Sequence, residues 1–267
     1  MSSIYNIIQA TAKEIPILIS IPHCGTAFPD ELKDQYKPEL INAPDDTDWF
    51  VDRLYDFVPA LGITMITAHY SRWVIDLNRD PQSKPLYTDG RIITELCPTT
   101  TFLGDALYKD ERNEISQTEI ERRVQQYYLP YHAKIEQELT RLKNKFGKVL
   151  LWDCHSIKQF VPTIRLEKFP NLILGDADGA SASKDLIQST LDSLKASSLE
   201  WSHNHPFKGG YITRHFGKPQ ENQHALQLEM TKVNYMDDDE ANYHFDRAKK
   251  MRLVLAQTFI KLRDHLL

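Results

Sequence analysis

"VLLWDCHSI", residues 149–157, runs four apolar residues straight into Asp153, Cys154, His155 and Ser156. An apolar run of that length after Gly147 reads as a strand buried on both faces, and its polar end needs a use. The same kind of run recurs along the chain. "IPILISIP" (15–22) is a β-branched run ending at Pro22. "ITMITAHYS" (63–71), "WVIDLN" (73–78) and "NLILGD" (171–176) read as further strands, and "ALQLEM" (225–230) as one with alternating faces. Helical patterns lie between them. "DWFVDRLYDFV" (48–58) has apolar residues at helical spacing, with Thr47 or Asp46 able to cap it. "SQTE" (116–119) is a capping box. The helix it opens carries Ile120, Val124, Tyr127, Tyr131, Ile135, Leu139, Leu142 and Phe146; Pro130 should kink or split it, and Gly147 ends it. "ASKDLIQSTLDSLKA" (182–196) is helical, and the tail aligns Ala248, Met251, Leu255, Phe259, Leu262 and Leu266 on one face. Buried strands alternating with amphipathic helices predict an α/β fold: one domain over 1–267, with a mixed, mostly parallel sheet and helices on both faces.

The bulk composition narrows the function class. A net charge of −5 with no long basic run gives no electrostatic footprint for nucleic acid. No apolar run is long enough to span a bilayer. The opening "MSSIYNIIQATAKEIP" lacks a basic start followed by an apolar run, so it does not read as a signal peptide. Three cysteines, Cys24, Cys97 and Cys154, cannot form a paired framework, and a reduced cytoplasmic setting is expected. Nothing in the sequence indicates an oligomeric state.

In such folds ligands gather at the carboxyl ends of strands. His23 and His155 both sit at strand ends, and a catalytic zinc needs three protein ligands with a further position open. Each can equally be a hydrogen-bonded turn residue. A carboxylate third ligand can come from "APDDTDW", which offers Asp45, Asp46 and Asp48; acidic residues there also suit a helix N-terminus. Cys154 beside His155 and Cys24 beside His23 suggest a thiol nucleophile, but adjacent strand residues point to opposite faces, so both read as small buried hydrophobes. "SRWVIDLNRD" places Arg72, Asn78 and Arg79 around one segment, suited to holding a carboxylate or to pairing with Asp76 or Asp80. "FKGGYITRHFG" (207–217) adds Lys208, Arg214 and His215, as a binding loop or a plain turn. Glu229 among Leu228 and Met230 is a raised-pKa base or a salt-bridged structural residue. His132 and His244 read as structural helix residues. His203 and His205 in "SHNHPF" form a weaker alternative metal pair.

Several stretches in order carry a resemblance: "ISIPHCGTAFPDEL", "DTDW", "YSRWVIDLNRDP", "LCPTTTFLG", "LPYHAKI", "LWDCHSI", "FKGGYITRHFG" and "HALQLEM". Together, over about residues 15–235, the chain resembles the N-formylglutamate amidohydrolase (deformylase) family of histidine degradation. That family is similar in turn to zinc carboxypeptidases and succinylglutamate desuccinylase, which implies a carboxypeptidase-like fold. The resemblance implies a metal-dependent amidohydrolase that releases formate from N-formyl-L-glutamate. It implies one divalent metal, zinc first, on His23 and His155; Asn78, Arg79 and Arg214 as substrate-binding residues; Arg72 as oxyanion stabiliser; and Glu229 as base. Carboxypeptidases take an acidic ligand from a His-x-x-Glu motif, but "HCGTAF" has no acid at that spacing. Asp46 is therefore the expected third ligand, with Asp48 next. The alternatives are an amidohydrolase for another N-acyl amino acid or small peptide-like amide, and a catalytically inactive binder of an acidic metabolite.

Overall fold

The computed structural model describes residues 3–82 and 95–267. Among these residues seven strands form one sheet: β1 Tyr5–Ile8, β2 Ile17–Ile21, β3 Thr64–Ala68, β4 Val149–Ile157, β5 Leu172–Gly175, β6 Trp201–His203 and β7 Gln223–Thr231. Their order is β1-β3-β2-β4-β7-β5-β6. The central strands β3, β2, β4 and β7 run parallel, while β1 is antiparallel to β3 and β5 to β7. Among the described residues eight α-helices accompany them: α1 Asp30–Lys33, α2 Pro38–Ile41, α3 Val51–Leu54, α4 Gln117–Arg123, α5 Leu129–Phe146, α6 Lys184–Ala196, α7 Tyr211–Phe216 and α8 Phe245–Leu266. The α/β class with a mixed, mostly parallel sheet is as expected.

Strand parity sorts the core into two layers. Ile17, Ile19, Ile21, Leu150, Trp152, Cys154, Leu226 and Leu228 pack on one face with α6 and α8, through Leu186, Leu194, Met251, Leu255 and Phe259. Leu18, Leu151 and Ala225 pack on the other with α5, through Ile135, Leu139 and Leu142. Along that second face each strand turns polar toward its carboxyl end. Ser20 follows Leu18, Asp153 and His155 follow Leu151, and Gln227 and Glu229 follow Ala225, all at the same parity. Cys154 is on the opposite face and fully buried, as the alternation required.

Two sequence expectations change. "WVIDLN" is buried but is no strand: Val74 N–H donates to the Ser71 carbonyl at 2.9 Å and Asp76 N–H to the Leu96 carbonyl at 2.7 Å. Turn bonds to flanking segments replace a ladder there. The helix expected over 48–58 shortens to α3, because Phe50 takes a left-handed φ of 62° and no side chain caps the helix start. Asp46 and Thr47 are therefore not its caps. β7 has the alternating faces expected of it and is buried on both, with α6 and α8 packed on one and α7 on the other. The long helix starts as expected, Ser116 Oγ accepting from Glu119 N–H at 3.3 Å, and Pro130 does interrupt it. A π-helical stretch, Val124–Tyr128, separates α4 from α5, whose first turn holds Pro130. A proline ring clashes with the carbonyl four residues back, and one wider turn relieves that clash. Gly147 closes α5 with φ 83°.

Candidate metal centre and active site

Three buried side chains converge beyond the carboxyl ends of β2 and β4. His23 follows β2 by two residues, His155 lies near the end of β4, and Asp48 is on the turn before α3. A backbone pair places Asp48: its N–H donates to the His23 carbonyl at 2.9 Å. Asp48 Oδ2 lies 3.7 Å from His23 Nδ1 and 3.3 Å from His155 Nδ1, and the two imidazole centroids are 4.9 Å apart. One donor atom from each residue falls within 4.8 Å of the other two.

The outer nitrogens of both rings are engaged by carboxylates. His23 Nε2 lies 2.7 Å from Asp76 Oδ1, and His155 Nε2 lies 3.0 Å from Asp153 Oδ2. Both Nδ1 atoms therefore face Asp48, with ring orientation fixed from behind. His23 Nδ1 and Asp48 Oδ2 have no hydrogen-bond partner among the described residues although both are buried. Two orphaned buried donor atoms and a third beside them, chemically two imidazoles and a carboxylate, fit a divalent metal ion.

Electrostatics follow from this packing. Burial lowers the His23 pKa, and the Arg72 charge adds to that against the pull of Asp76. Burial also opposes protonation of His155, yet Asp153 outweighs it and holds the imidazolium well above the ordinary range. For Asp48 burial works against ionisation, but the His155 imidazole 3.3 Å away and the charge of both histidines leave its pKa lowered. Glu229, directly opposite His155 in the β4–β7 register, is pushed up to about 8, first of all by burial.

Asp46 is the expectation that the structure corrects. Its Oδ2 accepts from Trp73 Nε1–H at 2.9 Å and from Phe102 N–H at 3.0 Å, so its carboxylate is spent on a loop contact. Asp48, the second choice, takes the place between the histidines, and Asp45 pairs instead with Lys158 at 2.6 Å. Asn78 Oδ1 accepts from Ile212 N–H at 2.8 Å, and its Nδ2 donates to Asp153 Oδ2 at 3.4 Å, beside His155 Nε2 at 2.9 Å. Arg72 Nη2 donates to Asp76 Oδ2 at 2.5 Å, and Arg79 Nε lies 3.7 Å from the same oxygen. Arg214 stands on α7 with its Nε anchored on the Gly209 carbonyl at 2.9 Å.

Asp76 pairs with Arg72 and Arg79, as the sequence allowed, but sequence reasoning missed that it also joins them to His23. Its one sequence signal was a lone carboxylate inside the apolar run "WVIDLN". The His203–His205 pair does not form a metal group among the described residues. His203 Nε2 pairs with Asp176 at 2.7 Å, and His205 is exposed. His132 is structural, its Nε2 2.8 Å from the Leu77 carbonyl. His244 caps α8 instead of lying within it. Cys24, Cys97 and Cys154 are free thiols.

Comparisons with known proteins add to this geometry. Two proteins named N-formylglutamate deformylase, from Pseudomonas putida and Pseudomonas aeruginosa, are each 42% identical to the chain over 246 residues. The match covers 91% of this chain in both cases, and 90% and 91% of the two relatives. The crystal structure of an N-formylglutamate amidohydrolase from Ralstonia eutropha JMP134 superposes with a TM-score of 0.79 at 24% identity, covering 98% of this chain and 97% of the other. A structure from Agrobacterium tumefaciens has the same fold, with a TM-score of 0.74 at 15% identity, covering 97% and 96% of the two chains. A sequence model described as N-formylglutamate amidohydrolase matches residues 15–236, which span β2, β4, β7 and every side chain of the metal-competent group, and the chain belongs to that family.

Proposed function

We propose that this chain hydrolyses N-formyl-L-glutamate to formate and L-glutamate at a centre built on His23, Asp48 and His155. The observation that carries the reading is the convergence of these three buried donors, with Glu229 opposite His155, in a chain 42% identical to two N-formylglutamate deformylases. Zinc is the first candidate, since two imidazoles and a carboxylate are a catalytic zinc donor set. A divalent ion there supplies Lewis-acid polarisation of the formyl oxygen and acidification of water to a pKa of about 7, and its charge draws Glu229 back toward ionisation.

The chain's own residues do the rest. Glu229 takes a proton from the attacking water and delivers it to the departing amine nitrogen. Arg72, fixed by Asp76, faces the oxygen that gains charge as the formyl carbon becomes tetrahedral. Asp76 and Asp153 hold the imidazoles in register, and Asn78 donates to Asp153. Arg79 and Arg214 bind the two carboxylates of the substrate, giving an acidic protein a local cationic site for a dianion. The whole chain, 1–267, acts as one domain. A reduced cytoplasmic setting suits its three free cysteines, and among the described residues no helix is long and apolar enough to cross a membrane.

Elemental analysis of the purified protein combined with a formate-release assay tests the proposal. One equivalent of divalent metal, and formate released from N-formyl-L-glutamate but not after chelation, is the expected result. Full turnover in metal-depleted protein would overturn the metal-dependent reading.

A further inference from the structure

Arg79 stands just past a segment, residues 73–78, that runs as turns and pairs with no strand among the described residues. Donors on three consecutive carbonyls hold that stretch instead. His132 Nε2–H on α5 donates to the Leu77 carbonyl at 2.8 Å, and Tyr211 N–H on α7 to the Asn78 carbonyl at 3.3 Å. The Tyr128 hydroxyl donates to the Arg79 carbonyl at 2.7 Å. From the side of the metal-competent group, Asp76 Oδ1 accepts from Asn78 N–H at 2.9 Å.

Tyr128 is the last residue of the π-helical stretch. It is buried and stacks on His132, four residues on, with 4.0 Å between centroids and 13° between planes. Pro130 accounts for a wide turn there, but not for a hydroxyl spent on the Arg79 carbonyl. The neighbouring Tyr127 faces elsewhere, its hydroxyl donating to the Glu31 carboxylate. Single π-turns inside α-helices recur at functional sites. The Arg79 side chain keeps 20% of its surface exposed, and its Nε lies 3.7 Å from Asp76 Oδ2, so where its guanidinium reaches depends on where its backbone stands. A guanidinium meets a carboxylate through a planar fork, and a small shift of its base loses that alignment.

We propose that Tyr128, backed by His132, is a positioning residue for substrate binding: from the π-turn it fixes the Arg79 backbone, and so the place where the Arg79 guanidinium meets a substrate carboxylate. The inference rests on the reading of Arg79 as a substrate-binding residue given above. Tyr128 touches neither the metal-competent donors nor the reacting atoms, so its effect falls on binding and leaves the chemical step alone. His132 holds the adjoining Leu77 carbonyl and the Tyr128 ring together, which makes the pair one brace against residues 77–79.

The test measures kcat and KM for N-formyl-L-glutamate, and the calorimetric Kd of the product L-glutamate, in the metal-loaded protein. It compares the wild type with Tyr128→Phe, Tyr127→Phe, Arg79→Gln and the Tyr128→Phe/Arg79→Gln double variant. Tyr128→Phe leaves the Arg79 carbonyl without its hydroxyl donor and should raise KM and Kd about 10-fold, the worth of one hydrogen bond. Its kcat should stay within about 2-fold of wild type, the pattern of lost uniform binding, with metal content unchanged. Tyr127→Phe removes a hydroxyl from the same turn and should leave KM and Kd as they are. In the Arg79→Gln background Tyr128→Phe should add less than about 2-fold, because the two residues act as one unit. An unchanged KM in Tyr128→Phe, equal rises in the two tyrosine variants, or a rise that persists in the Arg79→Gln background each overturns this inference and leaves the deformylase reading standing. Should Tyr128→Phe fail to fold, His132→Leu, which removes the donor to the Leu77 carbonyl, takes its place with the same split expected. A wild type that binds L-glutamate without releasing formate overturns the deformylase reading, and the Kd series alone then decides the role of Tyr128. A wild type that neither binds L-glutamate nor releases formate overturns both.

Discussion

Asp46 and Asp48 are two positions apart, and the difference between them is a matter of which backbone each one rides on. Asp48 is carried to the histidines by its own N–H bond to the His23 carbonyl. That contact joins two loops and leaves no mark in a sequence, so "APDDTDW" offered three carboxylates and no means of choosing. His23, His155 and Glu229 were legible because each stands where an apolar run meets its polar end. The two aspartates give a clean comparison. Asp48→Asn should abolish stoichiometric metal binding, whereas Asp46→Asn should retain it and lower stability by about 1–2 kcal/mol, the cost of weakening a buried charged acceptor. Metal content and denaturant midpoints of both variants check this; loss of metal in Asp46→Asn alone would restore the sequence choice. Glu229→Gln removes a proton carrier while keeping shape, so it should keep the metal and lose about 10²–10⁴-fold in rate. Full formate release by that variant would remove Glu229 from the mechanism.

At the scale of elements, apolarity reported burial faithfully and backbone form less so. Trp73, Val74, Ile75 and Leu77 are all buried as "WVIDLN" implies, yet the segment is a chain of turns around Asp76. The short edge strands β1 and β6 left no signal, because their residues are half exposed and too few for a period. Turn and cap residues were more readable, and two glycines separate the reasons for that. Gly147 has φ 83° and open space around it, so its requirement is conformational. Gly25 has no positive φ, but a Cβ there would stand 2.3 Å from the Tyr70 carbonyl oxygen, so its requirement is spatial. Gly147→Ala should cost about 1–2 kcal/mol, the left-handed penalty, and leave metal affinity unchanged. Gly25→Ala should cost a similar or larger amount, about 1–3 kcal/mol, and weaken metal binding as well, because the loop it pushes carries His23. Metal titrations beside urea unfolding distinguish the two. Equal metal affinities in both variants would mean that the loop relaxes without moving His23.

For the whole molecule, the sheet divides an apolar layer under α6 and α8 from one that turns polar toward the site, and buried ionisable groups on the second layer tie stability to pH. His132 on α5 stacks on Tyr128 at a centroid distance of 4.0 Å and is pushed down to about 4, by burial first, against the Leu77 carbonyl contact that favours its proton. The unfolded chain takes up a proton at that residue near pH 6.5, whereas the folded chain stays neutral until about 4. Between these values the unfolded state binds more protons, so folding stability falls as pH falls and this contribution levels off below 4. Glu14 and Glu119 act lower. Hydrogen bonds from Arg141 and Arg122 respectively are the largest influence holding each at about 2, and their stabilisation is lost as pH drops from 4.5 toward that value. Acid unfolding should therefore begin above the carboxylate range. His132→Gln, which keeps a donor for the Leu77 carbonyl and cannot titrate, should flatten the upper part of the curve only. The stability difference between wild type and variant should shift by about 3 kcal/mol between pH 7.5 and 4, following 1.36 kcal/mol per pKa unit. Urea midpoints at matched pH values measure it, and because both proteins keep the same metal group, titration of the other histidines cancels in the difference. Parallel curves would show that His132 titrates alike in both states, which its burial against Tyr128 and Phe216 argues against.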